Sequence, residues 1–432
     1  MKILFASVPA SGHMNPVLSI ARMAKARGDT TIFAAASHFA GAVEAAGARF
    51  MPLLGAADID HREVEKIVPE RALLPPGPAQ LRIQLERIFI DRMAPQAETL
   101  RGIIDAEAPD VIVASSLFTG KMPLFLDRSR PRPPIVSCGI TFLPLDRPDG
   151  APTVMGLPPA RDEAERARYA AMAAQVDPVL NQPLRDYADA KLGEMGLPPL
   201  PCSFFAAGVL LADAYLQPTV PAFEYDYSPL PTSIHFIGAL PAPPSTAPTP
   251  EWWGEIDGAR KLVLVTQGTV ANFDFGELVE PTLAALAHRD DLLVIVTTGG
   301  RPFENIKGPI PANARLASFV DYEALLPRLT LLVTNGGYGT VSLALRAGVP
   351  IVASGVTEDK AEIGTRIGWS GVGIPLGSNN PSVEAIREAV ERVLVEPSFR
   401  ERARAMAADF AALDTPREIF AILDRLVARA AS

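Results

Sequence analysis

The chain has 432 residues, 48% of them apolar and 21% charged, with a formal net charge of −9. That length suits two domains of roughly 100–200 residues each. The acidic balance and the lack of any basic block argue against nucleic acid or an anionic membrane as the main partner. Cys138 and Cys202 stand far apart without metal-type spacing, so neither a disulfide framework nor a zinc site is expected. The first apolar run is only a few residues long before a Pro/Gly loop, and no later run reaches spanning length. The expected location is cytoplasmic, with no cleaved signal and no stable membrane insertion.

Residues 2–8 read as a buried parallel strand. A loop over 9–16 follows, then a helix marked by Val17, Leu18, Ile20, Ala21, Met23 and Ala24. Pro16 suits the first helical position, where a missing N–H costs nothing. Residues 30–35, 111–114 and 134–138 continue as strands of the same sheet. Over 141–235 the prolines multiply, a helical stretch spans about 161–176, and alternation of strand and helix is lost. That region reads as loops and helices shaping a pocket, with aromatics such as Phe204, Phe205, Tyr215, Phe223, Tyr225 and Tyr227 in a pocket wall or a core.

A Pro-rich segment at 239–252 reads as an extended linker. Beyond it alternation restarts, with strands expected at 261–266, 292–297, 331–334 and 350–354 and an amphipathic helical C-terminus. The fold class is therefore α/β: two doubly wound, Rossmann-like domains, residues 1–238 and 253–432, with the active site in the cleft between them.

Strand 331–334 runs straight into Asn335-Gly336-Gly337-Tyr338-Gly339-Thr340 and then into a helix. Glycines let backbone N–H groups approach an anion, and the helix N-terminus adds a favourable dipole. A pyrophosphate fits such a turn, although a tight turn without ligand has the same composition. No Gly-Lys-Ser/Thr follows, and neither this turn nor Ser11-Gly12-His13 is the Gly-x-Gly-x-x-Gly dinucleotide fingerprint, which disfavours nicotinamide or flavin.

The turn, together with Ala347-Gly348-Val349-Pro350 and Glu358-Asp359-Lys360, resembles the donor-binding region of inverting UDP-glycosyltransferases, in the bacterial branch that acts on macrolides and other natural products. Gly12-His13-Met14-Asn15-Pro16 is similar to that family's acceptor-side motif. The resemblance implies the GT-B fold, an N-terminal acceptor domain and a C-terminal donor domain. It implies that His13 is the general base and that Gly12, Gly268, Thr269, Phe319, Val320, Asn335, Gly337, Gly339, Thr340, Asp359 and Lys360 form the donor side. Within that set Phe319 would stack on the nucleobase, Val320 would read its edge, and Asp359 with Lys360 would hold the sugar hydroxyls. Three positions depart from the family pattern: Asn335 replaces a histidine, Lys360 replaces a glutamine, and Ser115 stands where an aspartate often orients the base. A neutral Asn335 donates a weaker bond to phosphate than a charged group would. Lys360 donates but does not accept.

The implied activity is an inverting, metal-independent hexosyl transfer from UDP-glucose, or a dTDP-sugar, to a hydroxyl of an apolar small molecule. No cofactor is expected beyond the nucleotide-sugar co-substrate. Two alternatives stay open: a nucleotide-sugar 2-epimerase on the same fold, and a non-catalytic nucleotide-sugar-binding auxiliary protein. Asp58-Ile59-Asp60-His61 resembles an Asp-x-Asp metal site, but it reads as a solvated loop away from the donor site. His38, His235 and His288 read as structural or exposed, and Trp252 and Trp253 as packing anchors between the domains.

Overall fold

The computed structural model describes residues 1–432 apart from 62, 63, 76, 246, 270 and 271, with the backbone alone at 72. Seven strands form the first sheet: β1 (Lys2–Ala6), β2 (Thr30–Ala35), β3 (Arg49–Pro52), β4 (Val111–Ser115), β5 (Ile135–Cys138), β6 (Ala214–Gln217) and β7 (Ile234–Phe236). All are parallel, in the order β3-β2-β1-β4-β5-β6-β7. Every residue of β4 is buried, as a strand covered on both faces requires. Six more parallel strands form the second sheet: β8 (Lys261–Thr266), β9 (Leu292–Thr297), β10 (Ala314–Ala317), β11 (Leu331–Thr334), β12 (Ile351–Ala353) and β13 (Gly373–Pro375). Their order is β10-β9-β8-β11-β12-β13.

Alternation along β1 builds the two layers of the first domain. Ile3 and Phe5 face α1 (Ser11–Arg27) through Met14, Val17, Ile20 and Ala21. Leu4 and Ala6 face α2 (Pro78–Ile88) and α3 (Met93–Glu107) through Leu85, Ile88, Met93 and Leu100. Successive strand side chains point to opposite faces, and each large apolar side chain buried this way contributes about 1.5–3 kcal/mol. In the second sheet, α4 (Tyr338–Arg346) follows β11 and α5 (Lys360–Trp369) follows β12. The closing helix α6 (Thr415–Ala431) returns to the first sheet, where Ile419, Phe420 and Leu423 join the core containing Ile3 and Phe5. Residues 415–431, expected with the second domain, therefore complete the core of the first.

The structure corrects three further expectations. Residues 141–235 do contain strands, β6 and β7, which extend the first sheet outward. They are only four and three residues long, too short for periodicity to reveal. Helix α1 starts at Ser11, so His13 lies in its first turn and Pro16 lies inside the helix. Pro16 lacks the N–H that the Gly12 carbonyl would otherwise receive. Trp252 and Trp253 pack on the core of the second sheet, with Trp252 Nε1 donating to the Leu316 carbonyl at 3.0 Å. They fix the end of the linker; residue 246 of that linker lies outside the described residues.

Candidate active site

Each sheet has one point where its winding reverses. In the first sheet it falls between β1 and β4, in the second between β8 and β11. Crevices beyond the carboxyl ends of such strand pairs are where open α/β sheets bind ligands. His13 follows β1 and Ser115 ends β4; Gly268 follows β8 and Asn335 follows β11.

The second-sheet residues expected to hold the donor are contiguous. Asn335 Nδ2 donates to the Gln267 carbonyl at 2.6 Å, joining the two loops at the switch point. Gly336 has φ +88°, a left-handed turn that a side chain would strain. Gly337 caps α4 without any side-chain hydrogen bond, and the first-turn N–H groups of Tyr338, Gly339 and Thr340 lack intrahelical acceptors. Gly339 is exposed and Thr340 half-exposed, so these donors are open to an anion. Gly299 must be bare because a Cβ there would stand 2.4 Å from the Gly268 carbonyl oxygen. That close approach brings the β9 loop onto the β8 loop. The Phe319 ring, 49% exposed, lies against Gly300, while Val320 is buried. Thr269 is exposed at the cleft edge.

Asp359 and Lys360 stand at the start of α5. Burial pushes the Asp359 carboxyl up, against the opposing pull of Lys360 and the Thr141 hydroxyl from the first-sheet side. Lys360 packs beneath Gly336 and Gly355, and its ammonium is paired with the Glu358 carboxylate. Glu358 itself has φ +57°, a costly left-handed backbone for a residue other than glycine. The Lys360–Glu358 pair uses one of the three ammonium N–H donors.

On the first-sheet side, Gly12, expected among the donor residues, lies instead next to His13 in the first turn of α1, exposed and with nothing near the position of a Cβ. His13 is partly exposed as a residue, yet its Nδ1 is sealed from water with no hydrogen-bond partner among the described residues. Burial lowers its pKa to about 3, reinforced by His61 and Lys121. Ser115 does not orient this ring: its Oγ accepts the Val8 N–H at 3.4 Å, and the side chain is fully buried. The Phe89 ring lies 5.8 Å from the His13 ring and 6.0 Å from the His61 ring. The Asp58–His61 stretch therefore borders the acceptor side rather than lying in a remote loop. Asp58 accepts the Ser37 N–H at 2.8 Å and His38 pairs with Asp60 at 3.9 Å. Burial lowers the His61 pKa to about 4. Lys121 is fully buried beneath Ser115 and Ser116, donating to both carbonyls at 2.8 Å, and burial lowers its pKa to about 7. Among the described residues no three His, Cys, Asp or Glu side chains gather as a metal site would need, and no helix is long and apolar enough to cross a membrane.

The two carboxyl edges face each other. Gln217, the last residue of β6, donates through Nε2 to the Tyr338 hydroxyl at 2.6 Å. Phe89, His61 and Tyr338 border the candidate site without having been expected there; in the sequence only Tyr338, within the glycine-rich turn, and His61, beside Asp58 and Asp60, carry any signal.

Residues 280–426 match the model of the erythromycin biosynthesis protein CIII-like C-terminal domain. Along its length the chain is 36% identical to 4'-demethylrebeccamycin synthase from Lentzea aerocolonigenes, covering 99% of both chains. It is 34% identical to UDP-glycosyltransferase 2 from Phaeomoniella chlamydospora, covering 99% of this chain and 96% of the relative. The chain belongs to the natural-product UDP-glycosyltransferase family. This glycosyltransferase also shares its fold with the calicheamicin glycosyltransferase CalG4, at a TM-score of 0.74 and 21% identity over 100% and 99% of the two chains. A glycosyltransferase of kitacinnamycin gives a TM-score of 0.72 at 20% identity over 98% of each chain. Both likenesses establish GT-B architecture for the enzyme.

Proposed function

We propose that this glycosyltransferase moves a hexose from UDP-glucose, or from a dTDP-sugar, to a hydroxyl of an apolar small molecule, inverting the anomeric carbon without a metal ion. The observation that carries the reading is the opposition of two switch-point sites: an uncapped glycine-rich helix start on one sheet and His13 on the other. Relatives at 31% and 30% identity named UDP-glucosyltransferase A1 and B1, both from Starmerella bombicola, favour UDP-glucose over other donors.

The chemistry follows from the residues. With its pKa lowered, His13 is neutral at pH 7 and keeps a ring-nitrogen lone pair to accept a proton, although the same burial makes it a weak base. His13 takes the acceptor hydroxyl proton as that oxygen bonds to the anomeric carbon. The bond from that carbon to the β-phosphate oxygen breaks on the opposite face, and the electron pair leaves with the nucleoside diphosphate. First-turn N–H groups of α4 and the Asn335 carboxamide receive the growing phosphate charge. Phe319 offers its exposed face to the base, and Asp359 accepts from the sugar hydroxyls.

The test is incubation with UDP-glucose and dTDP-glucose against a panel of hydroxylated aromatic and macrocyclic acceptors, with the product's anomeric configuration read by NMR. A β-glycoside from an α-linked donor is expected. Retained configuration would defeat the single displacement; an epimerised donor formed without any acceptor would point to the epimerase; and binding of UDP without turnover across the panel would point to an auxiliary role.

A further inference from the structure

Behind the donor site lies a buried polar cluster that the chemistry above does not use. Arg366, on α5, is fully buried. Its Nε donates to Glu224 Oε2 at 2.9 Å and its Nη1 to Glu362 Oε2 at 2.7 Å. Its guanidinium lies 3.9 Å from the Tyr225 ring centroid and 4.6 Å from that of Phe142. The other Glu224 oxygen accepts from the Leu143 N–H at 3.1 Å, Gln217 Nε2 at 3.0 Å and the Tyr338 hydroxyl at 3.2 Å. A second strand of contacts joins the same helix: the Gly156 N–H donates to Glu362 Oε1 at 3.0 Å, and Thr365 Oγ1 donates to the Gly156 carbonyl at 2.8 Å.

Chain position gives the cluster its meaning. Leu143, Gly156, Gln217 and Glu224 belong to the acceptor half, in or after β5 and β6. Tyr338 is the first residue of α4, directly after the phosphate turn, and Arg366 lies two turns into α5, which opens at Asp359 and Lys360. The acceptor half therefore grips both helices whose N-termini hold the donor. A buried charge is retained in a fold only when paired and hydrogen-bonded, and here every partner of Glu224 except the Leu143 N–H and Gln217 comes from the donor half.

We propose that Tyr338, Glu224 and Arg366 are positioning residues: through this cluster the acceptor domain sets the distance and angle between His13 and the sugar's anomeric carbon. The proposal rests on the transfer reading above. None of the three side chains touches the reacting atoms, and Tyr338→Phe leaves the Tyr338 N–H of the phosphate turn in place. The diphosphate cradle itself is built entirely from the second sheet, so binding and turnover are separable. Misplacing a base by a fraction of an ångström to an ångström lowers turnover by about 10- to 100-fold, while a cradle left intact keeps its affinity.

The experiment compares the full-length chain with Tyr338→Phe, Glu224→Gln and Thr365→Val, measuring kcat, KM for donor and acceptor, and UDP affinity by calorimetry. The expected result for Tyr338→Phe is a fall in kcat of about tenfold or more with the UDP Kd within about threefold of wild type, persisting at temperatures far below the melting midpoint. Thr365→Val, which removes one hydroxyl from a half-buried site, should show a smaller fall of the same kind even if Glu224→Gln folds poorly. Wild-type kcat in both Tyr338→Phe and Thr365→Val, or UDP affinity lost in step with kcat, overturns the positioning role. A wild-type chain that binds UDP but transfers nothing overturns instead the function on which the role depends.

Discussion

Asn335 Nδ2 donates a 2.6 Å hydrogen bond to the carbonyl of Gln267, so one N–H of the carboxamide braces the loop after β8 and one remains for the ligand. The residue thus ties the turn to its neighbour, and in the proposed reaction its second N–H faces phosphate. A hydrogen bond to a charged group contributes about 1.5–3 kcal/mol. Asn335→Ala should weaken UDP binding at least about tenfold and lower kcat/KM by a similar or larger factor. Calorimetry with UDP checks the first quantity, and unchanged affinity would place the carboxamide in bracing alone.

His13 has a different signature, because it stands on the other sheet. General-base contributions run to about 10²–10⁴-fold. His13→Ala should lower transfer by a factor in that range and leave the UDP Kd unaltered. Ser115→Ala provides the contrast: with its Oγ committed to the Val8 N–H, its loss should change kcat by less than about threefold. A fall as large as that of His13→Ala would show that Ser115 does engage the ring during turnover.

The buried imidazoles fix a pH dependence. The pKa of His13 is lowered to about 3 and that of His61 to about 4, both chiefly by burial. Below the ordinary histidine value the unfolded chain binds protons that the folded chain does not, so stability falls as pH drops. Above that value neither ring contributes any pH dependence. The loss from His61 develops from the ordinary histidine value of about 6.5 down to about pH 4, and that from His13 continues to about pH 3. Lys121, lowered by burial to about 7, adds its own fall in stability as pH drops from 8 towards 7, so the imidazoles are read below that window: melting midpoints should fall from about pH 6.5 down to pH 4, and His61→Phe should flatten part of that decline. Turnover per folded molecule should show no acidic limb from His13 above about pH 4. A limb near pH 6.5 would mean that the ring is charged far more easily than its burial implies.

The strands with continuous apolar runs were the most legible elements. Residues 30–35, 261–266, 292–297 and 331–334 read directly as β2, β8, β9 and β11, because a strand buried on both faces leaves no alternation to misread. Edge strands were not legible. Arg49–Pro52 is half-exposed and holds an arginine and a proline, and Gly373–Pro375 has three residues, a glycine and a proline among them. Their strand character comes from the sheet beside them. The site divided similarly. Asn335 to Thr340 was readable because glycine spacing encodes backbone shape, and that shape is local. The partnership of Tyr338 with Glu224, separated by 114 residues, depends on how two sheets dock. No spacing rule reports it.

Phe319 gives the last prediction, and its exposure makes the result unusually clean. The ring is 49% exposed and lies along Gly300 rather than within a core. Truncating it therefore removes little packing, and surface substitutions of this kind usually shift stability by less than about 0.5 kcal/mol. A stacked aromatic pair contributes about 0.5–1.5 kcal/mol beyond area burial, so Phe319→Ala should weaken UDP about 3- to 30-fold once lost contact area is included. Phe319→Trp should hold or tighten it. The same substitutions should barely alter the affinity for inorganic pyrophosphate, for which the proposed site is the α4 N-terminus with the Asn335 carboxamide, away from the Phe319 ring. Equal losses for UDP and pyrophosphate would mean that Phe319 shapes the phosphate turn instead of the base site.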